Sequence, residues 1–313
     1  MSRTAAALLL AIAVVAVAAP WLSPRPPDLQ EDVAGGRNLP PLTRAHAVAV
    51  APHRTWIVTS MSRTGAGWSF LRSGARVEVP DADVVAPPEP RFYLLGTDGL
   101  GRDLTSRLLH GARHSFGIAA VCVLLSLVLG SAVGSAAALA GGWTDMALMR
   151  GVDALICLPR LVVFFACAAV LPPSTLLTVL VLAATTWTHP ARLVRSEILA
   201  LRGSDLAASA LAVGCSRVRL VLAHLLPATG SILAVTAALR LADTILLESA
   251  LSFLGLGTPA PAVSLGDILA SGREGLAEAS WIILWPGLLI AAVVAGLRSV
   301  ASSFWTASEP ASV

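Results

Sequence analysis

Trp187 to Pro227 read WTHPARLVRSEILALRGSDLAASALAVGCSRVRLVLAHLLP, a long run that is charged and helical yet lies between blocks too apolar for water. Arg192, Arg195, Arg202, Arg217 and Arg219 outnumber Glu197 and Asp205. In a membrane protein that bias marks a cytoplasmic loop. Pro190 suits a first helical turn, Ser204 or Asp205 can cap a second helix, and Gly214 can end or bend it before Val218 to Leu226 resumes a helical run up to Pro227. Short helices joined at glycine behave as levers rather than as coil, so the stretch is built to pass force to a soluble partner.

Composition agrees. The chain has 313 residues, 56% hydrophobic and 13% charged, with a mean hydropathy of +0.76. A soluble domain carries about 25% charged residues, so this one belongs in a membrane. The net charge is +3, and its 22 basic residues are all arginines, spread along the chain rather than clustered as a nucleic-acid footprint would be. Cys122, Cys157, Cys167 and Cys215 show no metal or redox spacing and read as small hydrophobes. There is no GxxxxGK[ST], so the chain has no P-loop for ATP. An intramembrane protease would need paired aspartates or Ser with His at membrane depth, and neither occurs at useful spacing. Asp98 with His110 or His114 lacks a nucleophile. A transporter or a structural membrane protein remains.

Residues 1–21 predict an N-terminal transmembrane helix behind Arg3. Residues 22–94 predict a long extracytoplasmic segment, with β-prone patches at Thr55 to Thr59, Trp68 to Leu71 and Ala75 to Val79, open between a small strand-containing module and a partly ordered loop. Residues 95–300 form the core, with the cytoplasmic loop at 189–227, and 301–313 a cytoplasmic tail. Between Leu95 and Phe116, Asp98, Arg102, Asp103, Arg107 and Arg113 form a charged ladder, with Asp103 and Arg107 spaced as a helix-surface ion pair and Thr97 or Asp98 as a cap.

The second span, Phe116 to Ala140, carries Gly130 and Gly134, a small-xxx-small face for close helix approach. The third runs from near Val152 to Leu171, kinked at Pro159, with Arg150 and Asp153 spaced to pair. In the fourth, Thr175 to Thr188, the threonines at 185, 186 and 188 either line a polar path or bond back to their own helix. The fifth, Ala228 to Leu247, contains Arg240 and Asp243, with Glu248 just beyond; such charges pair with each other or face a cavity. Leu251 to Gly266 reads as an outer loop dipping back, and Trp281 to Val300 is the sixth span. The expectation is an all-α membrane protein with six transmembrane helices and both termini inside.

Ala208-Ser209-Ala210, three residues, Gly214, nine residues, then His224-Leu225-Leu226-Pro227 resembles the cytoplasmic signature of ABC importer permeases: EAA, three residues, G, nine residues, I, one residue, LP. Ala208 stands where the signature has Glu, Ser209 where it has Ala, and His224 where it has Ile, a histidine typical of the peptide and nickel branch. LGTDGLGRDLTSRLLHGARHSF (Leu95 to Phe116), MRGVDALICLP (Met149 to Pro159) and ESALSFLGLGTPAPAVSLGDIL (Glu248 to Leu269) add to the match. Together, over roughly residues 91 to 297, the chain resembles the second, C-type permease of a dipeptide, oligopeptide or nickel importer.

The resemblance implies the type I ABC importer architecture in a bacterial inner membrane. It also implies a second homologous permease, two ABC ATPase subunits that use ATP and Mg, and an extracytoplasmic solute-binding protein, with no cofactor in this chain. The cargo implied is a peptide, the alternative being a nickel chelate or another small solute. Asp205, Leu206, Ala208, Ser209, Ala210, Leu211, Gly214, Arg217, His224 and Pro227 would couple to the ATPase, with Ala207 among the packing residues. Arg240, Asp243 and Glu248 would face the pathway or substrate. Asp98, Arg102, Asp103, Arg107, Arg113, Gly130 and Gly134 would serve helix packing or subunit docking. The absent Glu at Ala208 removes a charged anchor.

Overall fold

Beyond α1 (Arg3–Val17), the polar stretch of the chain is folded. The computed structural model describes residues 3–51, 54–65 and 67–308; the tail expected at 309–313 lies outside the described residues. Strands β1 (Thr43–Ala51), β2 (Arg54–Val58), β3 (Ser60–Thr64), β4 (Gly67–Arg72), β5 (Ala75–Pro80) and β6 (Glu89–Tyr93) form two antiparallel three-stranded sheets, ordered β2-β1-β6 and β3-β4-β5. The two-residue period of β1 sends Ala45 and Ala47 into one cluster with Leu39, Ile57 and Tyr93. Val48 goes to the other, with Val58, Phe70 and Val79. Ser73 and Gly74, both at positive φ, make the tight turn between β4 and β5. Three short β-prone patches in the sequence thus belong to a six-strand module.

Asp32 pins this module. Its Oδ2 accepts from Ile57 N at 3.0 Å and Arg72 Nε at 2.9 Å, while Oδ1 accepts from Arg72 Nη2 at 2.6 Å. Burial alone would raise the carboxyl, but the Arg72 fork and the N–H groups of Ile57 and Gly35 outweigh it and hold it below the usual carboxylate range. Because the folded value is depressed, the stabilisation is complete above about pH 4, the unfolded value, and fades as pH falls through the lower folded value. Asp32→Asn is expected to cost the module about 3 kcal/mol at pH 7 and to flatten its acid sensitivity. Hydrogen exchange of β1 to β6 in the intact protein, measured against pH, checks this; unchanged protection at pH 7 would count against the clamp.

The long helix α2 (Leu104–Ala140) starts from a buried polar knot. Asp103 Oδ2 accepts from Ser106 N (2.8 Å) and Ser106 Oγ (2.6 Å), the geometry of an N-cap, so Asp103 takes the capping role expected of Thr97 or Asp98. Asp98 Oδ1 accepts from Leu100 N and Arg102 N, and its Oδ2 from Arg102 Nε at 2.7 Å. The guanidinium of Arg107 is buried, with Nε 3.4 Å from Asp98 Oδ2 and Nη2 donating to Asp267 Oδ2 at 2.7 Å. The expected Asp103–Arg107 pair is replaced by these contacts. Thr97 Oγ1 donates to Gly36 O and accepts from Leu39 N, while Trp281 Nε1 donates to Thr97 O at 3.2 Å. The charged ladder therefore ties its own chain together: Asp98, Asp103 and Arg107 lie inside rather than on a docking face, Arg102 is nearly covered, and Arg113 is exposed.

The remaining helices of seven residues or more, among the described residues, are α3 (Gly142–Cys157), α4 (Arg160–Val170), α5 (Thr175–Thr186), α6 (Thr188–Leu201), α7 (Asp205–Ala212), α8 (Gly230–Phe253), α9 (Leu265–Ser271) and α10 (Trp281–Ser308). Two compact units divide the chain, one built on Phe116–Glu248 with segments from both ends, the other joining Ile12–Ser115 to Ser249–Ala291. Among the described residues, three helical stretches, Leu104–Ala140, Gly230–Phe253 and Trp281–Ser303, are long and apolar enough to cross a membrane. A fourth exists if α3 and α4, bent by 79°, are one span. The expected kink at Pro159 is thus a break: Leu158 is extended, as a residue before proline prefers, and Pro159 sits at the start of α4.

Helix α8 continues past Leu247, which puts Glu248 inside a helix rather than beyond one. Residues 301–308, the first part of the expected tail, continue α10. Thr185 and Thr186 donate to the carbonyls of Val181 (2.9 Å) and Leu182 (2.7 Å), the back-bonding alternative rather than a polar path. Leu251 to Phe253, expected in the loop, still belong to α8, and the chain beyond returns to pack on it: a Cβ on Gly266 would lie 2.2 Å from Ser249 O.

Candidate functional site

The segment from α6 to α8 builds a small core of its own. Ala138 of α2, Val194 and Ile198 of α6, Ala207 of α7, and Leu220, Val221 and Leu225 are buried together. Leu201, Ala210 and Cys215 pack against them partly covered. Helix α7 ends on Gly214 at φ +85°, with Cys215 N donating to Ala210 O (3.1 Å) and Gly214 N to Leu211 O (2.9 Å). That paired closure requires a left-handed residue and explains the glycine, which has open space around it. Ser204 occupies the N-cap position of α7, although its hydroxyl donates back to Leu201 O. Ser216 Oγ accepts from Arg219 N and starts the next turn. Leu220–Leu225 then widen into a π-helix directly ahead of Pro227, whose missing N–H removes an α-type donor.

Only Ala207, and in part Ala210, anchor α7 to the rest of the chain; its other faces meet solvent. Leu206 is 43% exposed, Leu211 49% and Val213 89%, and Asp205, Ala208, Ser209, Gly214, Arg217, His224 and Pro227 are exposed around them. Ala207, expected among the gripping residues, belongs to the internal core. Val213 and the half-exposed Val218 and Leu222 were not singled out from the sequence, because only the turn at Gly214 decides which side of the chain they face. The arrangement is an apolar knob of small and branched side chains on a nearly bare helix.

Two ion pairs brace this segment against α3. Arg195 Nη2 donates to Asp145 Oδ2 at 2.6 Å in a bidentate pair, and Arg192 pairs with Asp153. Asp153 therefore takes Arg192 from across the fold rather than Arg150 from its own helix. Beside these pairs opens a cleft of about 660 Å³ lined by Asp153, His189, Arg192, Thr236, Leu239 and Arg240. Arg240 Nη1 stands 3.6 Å from Asp243 Oδ2, and Arg298 Nη2 stands 3.8 Å from Asp243 Oδ1. Glu248 lies elsewhere, fully buried in α8, so it does not join Arg240 and Asp243 at a common opening.

Residues 126–311 match the family described as the binding-protein-dependent transport system inner membrane component. The chain belongs to this family. Among similar proteins, the dipeptide transport system permease protein DppC of Alkalihalophilus pseudofirmus is 31% identical over 254 residues, 81% of this chain and 83% of its own length. A Brucella suis protein named provisionally as a peptide transport system permease is 39% identical over 201 residues, 63% of this chain and 67% of its own. Another from the same organism, named provisionally as a peptide permease, is 35% identical over 220 residues, 70% and 73% of the two chains. A chain of the MetNI methionine ABC transporter in an inward-facing conformation shares the fold, with TM-score 0.51 at 14% identity, covering 63% of this permease and 96% of that chain.

The permease is accordingly a mostly helical membrane subunit with several apolar helices, and it is not an enzyme. The family match spans the coupling-like segment, the cleft and α8. The strand module lies ahead of it.

Proposed function

We propose that this permease forms half of the translocation pathway of an ATP-driven importer of short peptides. It crosses the inner membrane six times with both termini cytoplasmic, so that residues 189–227 face the cell interior and the strand module at 22–94 lies outside. A second homologous permease completes the pathway, two separate ABC ATPase subunits use ATP and Mg, and an extracytoplasmic solute-binding protein delivers the peptide. The observation that carries this reading is α7: anchored by Ala207 and in part by Ala210, it offers Leu206, Leu211 and Val213 to a partner. ATP binding would close the ATPase pair and drag α7 and the elements packed around Ala207 with it, exchanging inward- and outward-facing states.

Reconstitution of the permease with its partner subunits and receptor tests the proposal. Uptake of alanine di- to pentapeptides is expected only with ATP and receptor together. A membrane-impermeant maleimide is expected to reach Val213→Cys only from the inner face. Uptake without ATP, or labelling of that cysteine from outside intact cells, would sink it.

A further inference from the structure

The cleft beside α6 holds a guanidinium with spare bonding capacity. Arg195 is spent on Asp145 in a bidentate pair and Arg192 on Asp153. Among the described residues, Arg240 pairs only with Asp243, at 3.6 Å, outside hydrogen-bond range, and Arg298 competes for the same carboxylate at 3.8 Å. The Nε of Arg240 is buried without a hydrogen-bond partner. A guanidinium carries five N–H donors and binds a carboxylate through two parallel bonds, so this one is left short of an anion.

Its surroundings sharpen the point. His189, half-buried, lines the same cleft with Arg192 and Arg240. Arg192 is already neutralised by Asp153, so Asp243 is left between Arg240 and Arg298. The cleft therefore carries an excess of positive charge with acids close by, and its volume suits a small ligand rather than a macromolecule. Thr236 and Leu239 supply a neutral wall.

We propose that Arg240 is the carboxylate-binding residue of a weak substrate site in this cleft, receiving the free C-terminus of a short peptide. This rests on the peptide-importer reading above and adds that the permease itself senses the terminal carboxylate, beyond any selection by the external receptor. Asp243 is the resting partner that the carboxylate displaces, which the long, shared ion pair allows at little cost.

The test uses the complete importer in nanodiscs without its receptor, titrated with dialanine and with dialanine amide. Dialanine is expected to bind at least about tenfold more tightly than the amide. Arg240→Gln is expected to bring dialanine down to the amide's level, and Arg240→Lys, which keeps the charge but loses the fork, to retain part of the preference. Equal binding of acid and amide by the unaltered importer would overturn the proposal, as would unchanged dialanine binding in Arg240→Gln. Should Arg240→Gln fail to assemble, full acid preference in Arg240→Lys would overturn it equally, because a bidentate contact cannot survive that change. Receptor-dependent uptake of alanine peptides by the unaltered importer, run in parallel, separates the two readings. If uptake occurs without acid preference, only the carboxylate site fails; if no peptide enters, the peptide-importer reading fails first.

Discussion

Gly134→Leu is expected to prevent the permease from accumulating as a folded membrane protein. A Cβ at this position would lie 2.4 Å from Ala191 O and 3.1 Å from Arg195 N, and one at Gly130 would lie 2.6 Å from Pro190 Cβ and 2.8 Å from Trp187 O. Both glycines let the backbone of α2 meet the start of α6 directly. Inserting a side chain into such a contact costs about 1–3 kcal/mol when neighbours can move and more when the obstacle is backbone, as here. Because α6 carries the Arg192 and Arg195 braces and puts Val194 and Ile198 into the internal core that holds Ala207, pushing it away would unseat α7 as well. Gly117→Leu, in the same helix but with open space around it, is the control and is expected to behave as the unaltered protein. Fluorescence-detected size exclusion of solubilised membranes reads the folded fraction. A monodisperse Gly134→Leu protein with normal uptake would show that the close approach is dispensable.

The second large effect is expected at the bare face of α7. Under the proposed docking, the double change Leu211→Asp, Val213→Asp leaves the internal core intact, since neither side chain belongs to it. It removes two apolar side chains worth about 1.5–3 kcal/mol each when fully buried and places two charges against the partner. Loss of about 3 kcal/mol weakens docking more than a hundredfold. ATP-driven uptake is expected to fall at least about tenfold while the permease inserts normally and keeps its elution profile. Gly214→Val should lie between, since a β-branched residue at φ +85° strains the closure by about 1–2 kcal/mol without touching the exposed face. Full uptake by the double variant would remove α7 from the coupling pathway. By contrast, Ala207→Asp should damage the permease itself, because that side chain is buried inside it.

Much was readable along the chain alone. The arginine excess between Trp187 and Pro227 and the apolar blocks around it are local features that mark a membrane-embedded subunit, and the run from Ala208 through Gly214 to Pro227 carries the resemblance to ABC importer permeases, in keeping with the family matched over residues 126–311. Gly130 and Gly134 were legible as a packing face because a four-residue spacing puts them on one side of any helix. Positive φ at Gly214 follows from the same one-dimensional logic, a glycine just after a helical run.

Charge pairing was not readable in this way. Spacing offers Asp103 to Arg107 and Arg150 to Asp153, but the structure gives Arg107 to Asp98 and to Asp267, which is 160 residues away, and gives Asp153 to Arg192. A buried guanidinium must be neutralised where water is excluded, so the partner brought within reach by folding outweighs a helical neighbour whose ion pair is worth only a few tenths of a kcal/mol. The strand module, the inward turn of Ala207 and the burial of Glu248 have the same origin. Local pattern determined which segments are apolar, helical or turning; only the packing of segments distant in sequence decided which side of each faces a neighbour, since solvent exclusion is a property of the assembled chain and of no single stretch of it.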